Sequence, residues 1–261
     1  TDFERKFLLT VAQSTYPGRV EDTYVERSEL EKLITLEMEK TPNGEYCIVY
    51  GNKSVGKSSL ITKCATSENG DKKGYVRVVI DDPEGPSDVV KSVLEELHCE
   101  KMKSNIETEM SKVHDKYGLY PVIVFEVERG GTHEDMRVMD NVRSVAKRLA
   151  MTCNCIIVIS ESNSILEFGN DISREDFIFV DELSIDEATT YLKKQLPEMT
   201  AEDMRTQVFD KIGTNPGALN DLVIMKNKGI PVNQFVEDIL DEARRDLHMF
   251  PLQTILKALK N

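Results

Sequence analysis

Five runs of β-branched and aromatic residues are spaced through the first 180 positions: Tyr46–Tyr50, Gly74–Asp81, Pro121–Val127, Cys155–Ser160 and the short Phe177–Val180. Three of them are almost unbroken in their apolar character, the signature of strands buried on both faces of a parallel sheet rather than of half-exposed strands. Between them the period changes to that of a helix. Leu30, Leu33, Ile34 and Met38 line one side of Ser28–Met38, and Val90, Val93, Leu94 and Leu97 do the same in Ser87–Leu97. Ser58–Ala65, Met102–Tyr117 and Asp135–Met151 also read as helices, whereas residues 1–25 show no regular pattern. Beyond Leu183 only helical patterns follow: one from Ser184 to Leu196, with a capping box of Ser184 and Glu187, then Thr200–Ile212, Pro216–Lys226 and Val232–His248. The alternation predicts an α/β core over residues 1–183, a parallel sheet sandwiched by helices. An all-helical subdomain the size of a lid is expected over residues 184–261.

Composition narrows the class. The formal charge is -13, from 33 basic and 46 acidic residues. Such a balance argues against direct nucleic-acid binding by this segment, because phosphate neutralisation needs clustered Lys and Arg. The five cysteines form no Cys-x-x-Cys pair, and no His/Cys cluster accompanies Cys153-Asn154-Cys155; they read as reduced thiols of an intracellular protein, in cytoplasm or nucleus, not as zinc ligands. No apolar run reaches membrane-spanning length and no signal peptide opens the chain, so no membrane role is expected. The first residue is Thr1 rather than Met, as in a piece excised from a longer protein.

The densest chemical signal lies directly after the first strand. Gly51-Asn52-Lys53-Ser54-Val55-Gly56-Lys57-Ser58-Ser59 contains the full spacing Gly-x-x-x-x-Gly-Lys-Ser, entered from a strand and left by a helix. The chemistry requires those residue types. Glycines let the backbone wrap closely, so that successive amides face an anion, and the helix adds the positive end of its dipole. Lys57 is expected on the β- and γ-phosphates of a nucleotide and the Ser58 hydroxyl on Mg2+. A second Mg2+ ligand is expected from Glu126, which ends the apolar run Val122–Phe125. In the usual pattern an Asp stands there with a catalytic Glu directly after it. Here Val127 occupies the second place and Glu128 follows, on the same face as Glu126. Glu128 is thus the candidate base for the attacking water, and Ser160, at the end of the fourth strand, the candidate γ-phosphate contact. The guanine-reading Asn-Lys-x-Asp is missing, which favours ATP or ADP over guanine nucleotides.

With these parts in place, the chain resembles P-loop ATPases of the AAA+/STAND group, most of all its archaeal-ATPase, Crinkler and retrotransposon-hot-spot branch, over about residues 24–226. Three further stretches carry the resemblance: Arg27-Ser28-Glu29-Leu30, Leu183-Ser184 with Glu187-Ala188, and Gly213-Thr214-Asn215-Pro216-Gly217. It implies a P-loop NTPase core, ATP with Mg2+ as cofactors, Arg27 flanking the adenine, Pro216 in a lid turn near the nucleotide, and self-association. No Arg follows Pro216 in its helix, so a second-sensor arginine is absent. With the standard catalytic Glu displaced as well, slow hydrolysis is expected from a regulatory or effector switch. A pseudo-ATPase scaffold acting through protein contacts and a small-molecule phosphotransferase are the alternatives, and the second lacks any visible acceptor pocket. The branch named also allows origin as a secreted effector.

Overall fold

A computed structural model describes residues 2–17, 23–67, 70–102, 105–127, 133–159 and 174–249. The chain divides into two units, Thr1–Asp181 and Glu182–Asn261.

The first unit is α/β. The strands of its main sheet are β1 (Tyr46–Tyr50), β2 (Tyr75–Ile80), β3 (Val122–Val127), β4 (Asn154–Ile159) and β5 (Glu175–Phe179). They form one fully parallel sheet in the order β2-β3-β4-β1-β5. Burial follows the continuous apolar runs: every residue of β3 and β4 is buried, and only Tyr50 of β1 is partly exposed. Side chains alternate between faces. Cys47, Val49, Val122, Val124, Ile156 and Val158 pack with Ile34 and Met38 of α2 (Ser28–Glu39) and with Leu60 and Ile61 of α3 (Lys57–Ala65). The opposite face, with Ile48, Ile123, Phe125 and Ile157, packs on α1 (Asp2–Gln13), α4 (Pro86–Glu96), α5 (Ile106–Tyr117) and α6 (His133–Leu149). All five cysteines are buried and free.

Several boundaries differ from those predicted. Helix α1 was not expected. Its stripe of Phe7, Leu8, Val11 and Ala12 is buried, but the segment carries no strong helix-start signal. Helix α5 begins at Ile106 rather than Met102, because the Asn105 side chain caps it by accepting from the amides of Glu107 and Thr108. The N-cap of α2 is Arg27, and no side chain caps this helix. The Arg27 amide donates to the Glu31 side chain at 2.8 Å, one position beyond that of a capping box. Strand β5 starts two residues early, at Glu175, whose carboxylate is held by Tyr46 and Arg143.

The second unit is helical: α7 (Ile185–Gln195), α8 (Ala201–Met204), a π-helical turn at Arg205–Phe209, α9 (Asp210–Ile212), α10 (Pro216–Asn227) and α11 (Val232–Met249). The Ser184–Glu187 box forms in both directions, at 3.2 and 2.7 Å. Leu183 and Thr214 are tied together, the Leu183 amide donating to the Thr214 carbonyl and the Thr214 hydroxyl to the Leu183 carbonyl. Glu182 accepts from the Thr214 amide at 3.2 Å. Among the described residues no helix is long and apolar enough to cross a membrane.

Candidate functional site

The Gly51–Ser59 segment leaves the C-terminal end of β1, inside the sheet rather than at its edge, and turns directly into α3. Two glycines make the turn possible. Gly51 has φ +153, and a Cβ there would sit 2.0 Å from the Val180 carbonyl oxygen. Gly56, the N-cap of α3, has φ +90. Ser54 also takes a positive φ, of 62°. Val55 is buried and anchors the loop, while Asn52, Lys53, Ser54, Ser58 and Ser59 are exposed. The first intrahelical bond of α3 runs from the Leu60 amide to the Gly56 carbonyl, so the amides of Lys57, Ser58 and Ser59 precede the helical ladder.

Lys57 is the unusual member of this set. Its side chain is buried, at 5% exposure, and curls back over the loop to donate to the carbonyls of Gly51 (2.8 Å) and Asn52 (2.6 Å). Among the described residues no carboxylate forms a salt bridge with it. Burial alone pulls its pKa down to about 8. Arg27 reinforces the loop from outside, donating to the Val55 carbonyl at 3.4 Å and to the Asp181 carbonyl at 3.0 Å, so it bridges the loop and the segment following β5.

Glu126 lies on β3 opposite Val158, which in turn lies opposite Val49 near the end of β1. β4 intervenes, so the acid is not on the strand next to the loop; two strand spacings put it about 10 Å across the sheet from β1. It points to the α3 face, in line with Val122 and Val124. At 8% exposure it is a buried carboxylate, and both its oxygens are engaged. The Tyr16 hydroxyl donates to Oε1 and the Arg77 guanidinium to Oε2, each at 2.5 Å. Burial and the bond to Glu126 push the Tyr16 phenol well above its ordinary value, and the same carboxylate raises Arg77. Neither Tyr16 nor Arg77 was singled out from the sequence. They lie 110 and 49 residues from Glu126, and no local pattern marks them.

Fit to the expected ligands is uneven. The loop, with exposed hydroxyls, helix-leading amides and a buried lysine that pairs with no acid among the described residues, suits a phosphate. The Ser58 hydroxyl is placed at the second position of α3, as a cation ligand of such a loop would be. Glu126 does not suit a divalent cation as it stands, because a guanidinium already neutralises it. No step is therefore routed through a metal at Glu126. Among the described residues no group of three or more His, Cys, Asp or Glu gathers as a metal cluster. Glu128 and Ser160 lie outside the described residues. Pro216 belongs to the helical unit, where it is the first residue of α10 behind Asn215, whose side chain caps the Gly217 and Ala218 amides. Helix-start chemistry alone accounts for the Asn-Pro-Gly run.

No protein-family model matches the chain, and no curated protein is similar enough to count as a match. The class rests on the fold: an α/β unit with a five-stranded parallel sheet flanked by helices, compatible with a Rossmann-like arrangement.

Proposed function

We propose that the chain is an ATP-binding module of the P-loop NTPase class, AAA+/STAND-like, that works as a nucleotide-dependent regulatory or effector switch with slow hydrolysis. One observation carries the reading. Lys57 is a buried cation whose partners among the described residues are two loop carbonyls and no acid. Buried charges in folded proteins are paired. Here the missing anion is supplied by a ligand, and it sits where α3 adds its positive end and its leading amides. A nucleotide polyphosphate meets that demand, with any accompanying Mg2+ held by phosphate oxygens and the Ser58 hydroxyl. The pseudo-ATPase scaffold stands as the second reading, favoured by the engagement of both Glu126 oxygens.

Calorimetric titration of ATP and GTP into the whole chain and into Lys57→Ala, followed by single-turnover hydrolysis, tests both. The expected result is ATP binding that Lys57→Ala weakens by about a hundredfold or more, with turnover that Glu128→Gln removes. Binding without turnover selects the scaffold. Equal binding by wild type and Lys57→Ala, or none by either, overturns the nucleotide reading.

A further inference from the structure

We infer that Glu126 is the anion of a built-in ion pair and not a metal ligand: Arg77 supplies the positive charge that a divalent cation would otherwise bring to this carboxylate, so any Mg2+ that accompanies a nucleotide is held without Glu126. The second clause rests on the ATP-binding reading above; the first stands on the ion pair itself.

Three segments far apart in sequence converge to make the pair. Tyr16 follows α1, Arg77 is on the edge strand β2, and Glu126 is on β3. Arg77 lies opposite Val124, so it and Glu126 are diagonal neighbours on the same face of the sheet. The acid is almost fully withdrawn from water, and a desolvated carboxylate needs both a counter-charge and hydrogen-bond donors. Arg77 provides the first and Tyr16 adds a donor, one to each oxygen. The sheet face beneath the pair is apolar: Val122, Val124, Ile156 and Val158 surround the row. A cation approaching Glu126 would meet a like charge at hydrogen-bond range and would have to displace it. Arg77 itself is partly open to solvent, with 36% of its side chain exposed, and it lines a cleft of about 300 Å³ with Ser14, Thr15, Tyr75 and Glu96. A substitution there can therefore be rehydrated, although the same change leaves Glu126 with an uncompensated charge. The Oε2 released by Arg77 is then open to a divalent cation, while Tyr16 still occupies Oε1.

The test uses Mn2+ alone as probe, read by electron paramagnetic resonance on the whole chain, and ATP titrated in EDTA and in Mg2+. Wild type and Glu126→Gln should take up Mn2+ equally, since only scattered surface acids contribute, and the change in ATP affinity from EDTA to Mg2+ should be the same for both within about threefold. Arg77→Gln should gain a Mn2+ site about tenfold tighter, lost again in the Arg77→Gln/Glu126→Gln double variant, while Arg77→Lys stays like wild type. Mn2+ uptake that Glu126→Gln weakens tenfold or more in the otherwise wild-type chain overturns the inference, as does a folded Arg77→Gln that gains no site. If Arg77→Gln fails to fold, the comparison of wild type with Glu126→Gln decides by itself. Absence of ATP binding in both buffers would overturn the nucleotide reading and with it the Mg2+ clause, leaving the Mn2+ comparison to decide the ion pair.

Discussion

Lys57 titrates in an accessible range, and the sign of its effect is fixed by which state holds the proton. In the empty loop its pKa is about 8, against an ordinary value of 10.5. Phosphate favours the charged amine, so the bound form titrates higher. Below pH 8 the amine is protonated with or without ligand, and affinity should not depend on it. Above pH 8 binding must take up a proton, and ATP affinity should fall by up to about tenfold per pH unit. Titration calorimetry at pH 9 in two buffers of different ionisation enthalpy should show that uptake, and Lys57→Met should abolish it. The same shift acts on stability with a definite sign. The unfolded chain holds more protons than the folded one between about pH 8 and 10.5, so this group makes the fold more stable as pH rises across that window. Removing it at neutral pH should therefore leave Tm unchanged or raise it, while destroying phosphate binding. A few ångströms away the opposite behaviour is expected. Gly51→Ala drives a Cβ into the Val180 carbonyl and forces a left-handed backbone on an L-residue. A loss of about 1–3 kcal/mol in urea unfolding is expected, together with loss of binding.

At the scale of elements, the helix caps discriminate between what the sequence suggests and what the fold uses. Ser184 caps α7 through a bond from the Glu187 amide, so Ser184→Ala should cost about 1 kcal/mol and Ser184→Gly only a few tenths. Ser28 looks like the same signal, yet it is the first helical residue of α2 and its hydroxyl donates to the exposed Glu26 instead of capping the helix. Ser28→Ala should leave the urea midpoint unchanged. The contrast explains which parts of the structure were legible. Strands β1, β3 and β4 were readable because burial on both faces leaves a continuous apolar run, and the loop was readable because its chemistry is written within nine residues. Helix α1 was not, since its stripe of Phe7, Leu8, Val11 and Ala12 becomes meaningful only against the sheet. The polar start of β5 was hidden for a related reason: Glu175 is tolerated there because Arg143, 32 residues earlier, reaches it. The partners of Glu126 belong to the same class. Pairings across the sheet are set by topology, and a single chain carries no local trace of them.

The whole molecule raises the question of how much of the phosphate site one unit can make alone. The bonds that shape the loop fall inside the α/β unit: Lys57 to Gly51 and Asn52, Arg27 to Val55 and Asp181, and Gly51 packed against Val180. Both sheet faces of that unit are also covered by its own helices. A fragment ending at Asp181 should therefore unfold cooperatively in urea. Because the loop recognises phosphate through backbone amides and Lys57, inorganic tripolyphosphate is the ligand that isolates it from any contact to base or sugar. Its affinity for the fragment should match that for the whole chain within about threefold, and Lys57→Ala should weaken both alike. A fragment that folds yet binds tripolyphosphate more than tenfold more weakly would show that the helical unit shapes the loop. It would also locate the switch in that dependence and not in the α/β unit alone.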